Sequence, residues 1–120
     1  MLNYEEGGEN TVLNGDDGSE IYLNETPGGN PVLGARDIGK ESQFDYGARA
    51  GYWRIVRILE RYQATCTVNG CAEALEMTPH IARDAVARGY EISSHGDRWL
   101  SHIRMSPSEE AASIGNAVRR

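Results

Sequence analysis

Strand and helix patterns alternate along this chain, and that alternation predicts an α/β fold with parallel strands joined by crossover helices. Three observations carry the prediction. Tyr52, Ile55, Val56, Leu59 and Tyr62 recur at i, i+3, i+4, i+7 and i+10, which is one face of a helix. Ala64-Thr65-Cys66-Thr67-Val68 is a short β-branched run followed by the turn pair Asn69-Gly70. Gly89 closes a helix, and Tyr90-Glu91-Ile92-Ser93-Ser94 then reads as a short strand that delivers His95 into a turn at Gly96. The order is strand, long loop, helix, strand, one or two helices, strand, loop, helix, with about three strands. That is an open α/β sheet or part of a β/α barrel, since a closed barrel needs about eight strands.

Each element has its own signal. Met1, Leu2 and Tyr4 form the apolar part of a first strand whose acidic end is Glu5-Glu6; so short a strand looks truncated. From Gly7 to Gly47 no period of 3.6 or 2 is sustained, nine residues are glycine, and Asn14-Gly15, Asp17-Gly18 and Pro27-Gly28 are turn dipeptides. This stretch, 7–47, reads as one long loop, of the kind that serves as a lid or binding loop or marks an incomplete fold. Within it Glu20-Ile21-Tyr22-Leu23 suggests a helical turn, and Phe44 and Tyr46 anchor the return. The regular β/α part is 48–120. A short helix is expected from Cys71 to Glu76. Thr78 then caps another with Pro79 at its first position, Ile81, Ala82, Ala85 and Val86 on the buried side, and Gly89 as the stop. Ser106-Pro107-Ser108-Glu109 opens a last helix with a capping box.

Composition narrows the function. A chain of 120 residues with 39% hydrophobic content supports one modest core, and fourteen glycines limit regular packing. Eighteen acids against twelve bases give a net charge of −6, without a basic stripe, which argues against nucleic acid or an anionic membrane as partner. Cys66 and Cys71 lie too close to staple a secreted fold and lack partners for a zinc site, so they read as thiols of a reducing compartment. Neither a signal peptide nor an apolar run near the roughly 20 residues of a membrane span is present. The expected location is the cytoplasm.

Chemistry concentrates at two strand ends. Loops at the C-terminal ends of parallel strands are where active sites collect, and there the chain carries the carboxylate pair Glu5-Glu6 and the imidazole of His95. Carboxylates and a histidine brought together make a hydrolytic or metal site. Each also has a plainer explanation, as a solvated strand end or a structural histidine before a turn. His102 is a surface histidine or an approach to His95, and His80 is exposed near a helix start. Trp53 and Trp99 fill core or subunit contacts, although Trp99 beside a histidine also suits a small planar ligand.

Asn3-Tyr4-Glu5-Glu6-Gly7 resembles the first motif of the polysaccharide deacetylase family, the NodB homology fold, usually written Thr-Phe-Asp-Asp-Gly. Gly89-Tyr90-Glu91-Ile92-Ser93-Ser94-His95 resembles its second, usually Gly-His-Glu-Ile-Gly-Asn-His, with the run Tyr52 to Val68 between them. Glu9-Asn10, Arg36-Asp37, Glu41-Ser42 and Tyr46-Gly47-Ala48-Arg49-Ala50-Gly51 are similar to the allantoinase-like branch, which hydrolyses a cyclic ureide. The resemblance implies a partial distorted β/α barrel, roughly the first third to half of the family fold. It also implies hydrolysis of a non-peptide carbon–nitrogen bond in an N-acetyl sugar or a ureide, by base-activated attack of water on an amide carbonyl. Glu5 falls on the general base, Glu6 on a metal-binding carboxylate and His95 on the first metal histidine; Tyr4, Arg36, Glu41 and Trp99 are candidate substrate contacts. Trp99 takes the place of the second histidine, so a zinc site would rest on Glu6 and His95 alone, fewer than the three protein ligands of catalytic zinc. Metal-free chemistry is the expectation, with zinc allowed only on an incomplete ligand set. The alternative is a non-catalytic relative that buries its open sheet edge against a second copy.

Overall fold

The computed structural model describes residues 1–22 and 29–120. Leu23, the last residue of the helical turn expected at Glu20, and the Pro27-Gly28 turn lie outside the described residues. Three strands, β1 (Leu2–Tyr4), β2 (Thr67–Gly70) and β3 (Glu91–Ser94), form one parallel sheet in the order β1-β2-β3. Leu2 pairs with Val68 and Val68 with Ile92; Tyr4 pairs with Gly70 and Gly70 with Ser94. The helices are α1 (Ile38–Tyr46), α2 (Tyr52–Arg61), α3 (Ala72–Met77), α4 (Pro79–Ala87) and α5 (Pro107–Arg119). Short 3-10 turns occupy Val12–Asn14 and His102–Arg104.

The sheet has one apolar and one polar face. Leu2, Tyr4 and Val68 point toward the helices, and Tyr4, Tyr52, Val56, Val68, Cys71, Ala74, Ile81, Ala85 and Tyr90 make the core. Tyr4 and Tyr52 meet edge to face at 6.3 Å, a favoured aromatic geometry. Their hydroxyls find partners at the core's margin, Tyr4 with Thr78 Oγ1 at 2.7 Å and Tyr52 donating to Asp84 Oδ2 at 2.9 Å. On the other face Asn69 Nδ2 donates to Asn3 Oδ1 and Ser93 Oγ to Asn69 Oδ1, a polar ladder running across all three strands.

Several elements differ from expectation for identifiable reasons. The stretch expected to be one loop, 7–47, contains α1, capped by Asp37 through the Lys40 N–H. No apolar stripe announces it, because none of its residues is buried. It continues through a single π-helical turn, Gly47–Gly51, directly into α2. β2 begins at Thr67 rather than Ala64, since Gln63 leaves α2 in the left-handed region with φ 51°. Asn69 and Gly70 belong to the strand rather than a turn, their backbones being paired on both sides. On α2, Tyr52 and Val56 are buried while Tyr62, just past its end, is 71% exposed, and on α4 Val86 is 63% exposed beside buried Ile81 and Ala85. Thr78 stands at the N-cap of α4, but its hydroxyl donates back to Ala74 O instead of capping. The capping box of α5 and its Pro107 match expectation.

Burial, ahead of the lowering effect of Thr78, pushes the Tyr4 phenol up from 10.0 to about 12. A raised phenol keeps its proton in the folded state while the unfolded one releases it, so stability is intact below pH 10 and falls as pH rises toward 12. Urea unfolding between pH 9 and 12 is expected to show this loss, with a shallower slope in Tyr4→Phe, which costs about 1 kcal/mol at neutral pH.

Candidate active site

Parallel strands present their C-terminal ends at one edge, and the residues that follow β1, β2 and β3 are Glu5, Cys71 and His95. Their backbones stay in line, Cys71 N–H donating to Tyr4 O and His95 N–H to Gly70 O, both at 2.9 Å. β1 and β3 are not neighbours, so about 10 Å of sheet separates them. Glu5 Oε1 and His95 Nε2 nevertheless lie 2.9 Å apart, the two side chains reaching over the end of β2. The carboxylate is 11% and the imidazole 30% exposed, so the pair is shielded, with its exposed side at His95. Cys71 lies fully buried, its thiol pushed up to about 12 by burial and then by Glu5, Glu6 and Glu9. So high a value leaves no useful thiolate at neutral pH, and the cysteine acts as a filler.

Glu6 turns the other way. Its Oε2 accepts the Glu5 N–H at 2.9 Å, and its Oε1 lies only 2.1 Å from where a Cβ on Gly47 would stand. The glycine opening the π turn therefore lets the carboxylate press against the helix backbone. Burial raises the Glu6 carboxyl above the usual carboxylate range, as it does Glu9, whose Oε2 accepts the Gly7 N–H.

The predicted substrate residues divide between two clefts. One, of about 440 Å³, is lined by Glu6, Arg36, Glu41, Phe44 and Arg49, with Arg36 held by Glu41 at 2.5 Å. The other, of about 530 Å³, is lined by His95, Trp99, Leu100, His102, Ile114 and Val118. Glu5 lines neither cleft. Tyr4, expected to touch substrate, sits instead in the core at 1% exposure, because the inward side of β1 ends on it. His102 faces Glu110 rather than His95, and His80 stacks on Trp53.

Sequence reasoning missed Arg98. Its guanidinium donates to both oxygens of Asp16 and to Glu9 O, and its Nε lies 3.0 Å from Glu73 Oε2. Next to it the Trp99 N–H donates to Gly8 O at 2.9 Å, and the indole ring meets Phe44 of α1. The available signal was an arginine between His95 and Trp99 in a chain with an excess of acids.

The donor set does not fit a catalytic metal of the usual kind. His95 Nε2 is engaged by Glu5, the Glu6 carboxylate is turned to the Glu5 N–H, and the described residues contain no cluster of three His, Cys, Asp or Glu able to hold an ion.

A parallel sheet with carboxylate and imidazole at its C-terminal edge is a layout for acid–base chemistry. The polysaccharide deacetylase profile matches residues 41–120. A Schizosaccharomyces pombe protein whose name places it among the polysaccharide deacetylases is 34% identical over 99% of this chain and 38% of its own length. The crystal structure of a probable polysaccharide deacetylase from Pseudomonas aeruginosa PAO1 superposes with a TM-score of 0.95 at 42% identity, over 98% of this chain and 39% of that one. The crystal structure of Puue allantoinase does so with a TM-score of 0.95 at 40% identity, over 98% and 39%. The chain belongs to the polysaccharide deacetylase family, and its three parallel strands and helices form part of the NodB-type fold. It spans under two fifths of the length of these relatives.

Because burial raises the Glu6 carboxyl, its charge opposes folding at pH above that raised value, and the cost is relieved as pH falls from there to the ordinary 4.5. Glu6→Gln can still accept the Glu5 N–H, so at pH 7 it is expected to unfold at equal or higher urea than wild type, with the gap closing as pH falls toward 4.5. Gly47→Ala is expected to cost about 1–3 kcal/mol in the same assay, since the added methyl meets the Glu6 carboxylate.

Proposed function

We propose that this chain supplies the acid–base edge of a hydrolase acting on non-peptide carbon–nitrogen bonds. The observation that carries this is the 2.9 Å contact between Glu5 and His95 at the C-terminal edge of the sheet, in a family that includes deacetylases and alongside an allantoinase structure. Glu5 takes a proton from water, and the resulting hydroxide attacks an amide or ureide carbonyl carbon. The carbon–nitrogen bond then breaks as the proton passes from Glu5 to the departing nitrogen. His95, in the tautomer that donates Nε2–H to Glu5 Oε1, keeps the carboxylate aimed. Trp99 offers a planar wall beside His95, while Arg36 and Glu41 offer a donor and an acceptor in the neighbouring cleft.

The substrate is a small-molecule or sugar amide, either an N-acetyl sugar, as the relatives' names suggest, or a cyclic ureide such as allantoin. Two free thiols, Cys66 and Cys71, fit the reducing cytoplasm, and no helix among the described residues is long and apolar enough to cross a membrane.

A second reading, a non-catalytic module that pairs with another copy, draws on the sheet's outline: among the described residues β1 and β3 each have a partner on one side only, and Ile92 on β3 is 38% exposed. One experiment separates the two. The purified chain is assayed for hydrolysis of allantoin and of an N-acetylglucosamine oligomer, with and without zinc, alongside Glu5→Gln, while sedimentation reports its oligomeric state. Turnover that falls at least about 100-fold in a folded Glu5→Gln supports the hydrolase. A folded wild-type chain without turnover on either substrate, sedimenting as a dimer or larger, rejects it in favour of the module.

A further inference from the structure

We infer that Arg98 is a positioning residue for the Glu5–His95 pair, fixing the loop after β3 to the segment after β1. Its side chain is only 16% exposed and gathers three separate stretches of chain. Asp16 receives two parallel bonds, 3.0 Å from Nη1 to Oδ1 and 2.6 Å from Nη2 to Oδ2; Glu9 O receives one at 2.8 Å; Glu73 of α3 stands 3.0 Å from Nε. Arg98 follows closely on His95, and Glu9 follows closely on Glu5. The contacts Arg98–Glu9 and His95–Glu5 therefore close a small ring of chain, in which moving either contact moves the other. Inside that ring there is no slack: a Cβ on Gly8 would stand 3.1 Å from Cys71 Cβ, 3.2 Å from Trp99 N and 3.3 Å from Glu5 O.

The chemistry requires arginine. A planar fork satisfies both oxygens of Asp16 while leaving a donor for the carbonyl of Glu9, which an ammonium cannot do in one fixed geometry. The guanidinium also separates the partly buried carboxylates of Asp16 and Glu73, which would otherwise be left uncompensated. Arg98 borders the cleft beside His95, but three of its N–H donors are taken by Asp16 and Glu9 O, so it acts through the pair rather than on substrate.

The kinetic consequence rests on the hydrolase reading above; the geometric one does not. The test compares the full chain with Arg98→Gln and Arg98→Lys, using His95→Gln to assign the imidazole signals. Nitrogen-15 spectra of the histidines are expected to find His95 in a single tautomer in wild type. Arg98→Gln is expected to average between tautomers while circular dichroism stays that of a folded chain, and Arg98→Lys to fall between the two. With turnover established, kcat is expected to drop about 100-fold in Arg98→Gln with KM within a few-fold, and Arg98→Lys to recover part of it. A folded Arg98→Gln with the wild-type His95 spectrum overturns the inference, as does a rise in KM at unchanged kcat. Should Arg98→Gln fail to fold, Arg98→Lys decides alone: an unaltered His95 spectrum overturns the inference, and an averaged one sustains it. Absence of turnover in wild type rejects the hydrolase and leaves the histidine spectra to decide the role of Arg98.

Discussion

Carboxylates accepting main-chain N–H groups hold the first twenty-two residues in place, and the sheet edge that carries Glu5 and His95 depends on that hold. Glu6 takes the N–H of Glu5, Glu9 that of Gly7, Asp16 that of Thr11, and Glu20 those of Asn10, Ile21 and Tyr22. Past β1, a segment so rich in glycine has no regular ladder to satisfy its amides, and a buried amide without a partner is costly. Charge-assisted bonds to ionised side chains are among the strongest replacements available. The acidic balance of the chain thus has a structural use, with Glu9 and Glu20 buried where a solvated loop would have left them exposed. The desolvation this entails is visible in the raised Glu6 and Glu9 carboxyls, and Arg98 offsets part of it for Glu9.

The parallel sheet turns that local order into a site. Three strands in register place Glu5, Cys71 and His95 in a row, and the outer two meet only because the middle one is small and sunk into the core. Glu5 and His95 are ninety positions apart in the chain, yet their meeting is a direct outcome of strand order. Glu6, one residue further on, lines the cleft beside α1 instead, because successive side chains at a strand's end diverge.

Periodicity made α2, α4 and α5 legible, since each has either an apolar stripe or a capping signature. It failed at α1, whose residues bury nothing and whose helical state comes from the Asp37 cap and continuity with α2. Asn69-Gly70 reads locally as a turn, and only pairing with β1 and β3 makes it a strand. At the candidate site, the meeting of Glu5 and His95 could be anticipated because both follow parallel strands of one sheet, whereas the burial of Tyr4 follows from which face of β1 meets the helices. Arg98 was invisible for a related reason: its partners come from Glu9, Asp16 and Glu73, and no local pattern announces a contact that only the tertiary fold creates.

The ladder of Asn3, Asn69 and Ser93 has a consequence for calorimetry. Amides and a hydroxyl face outward from the sheet where a layer of valines would be usual for parallel strands, with Thr67 and Glu91 linked beside them. Removing apolar surface from water lowers the heat capacity, while removing polar surface raises it by rather more than half as much per unit area. Whatever packs against this face must meet hydrogen-bonding groups with its own or trap water between, and its docking will carry a muted heat-capacity change for the area it covers.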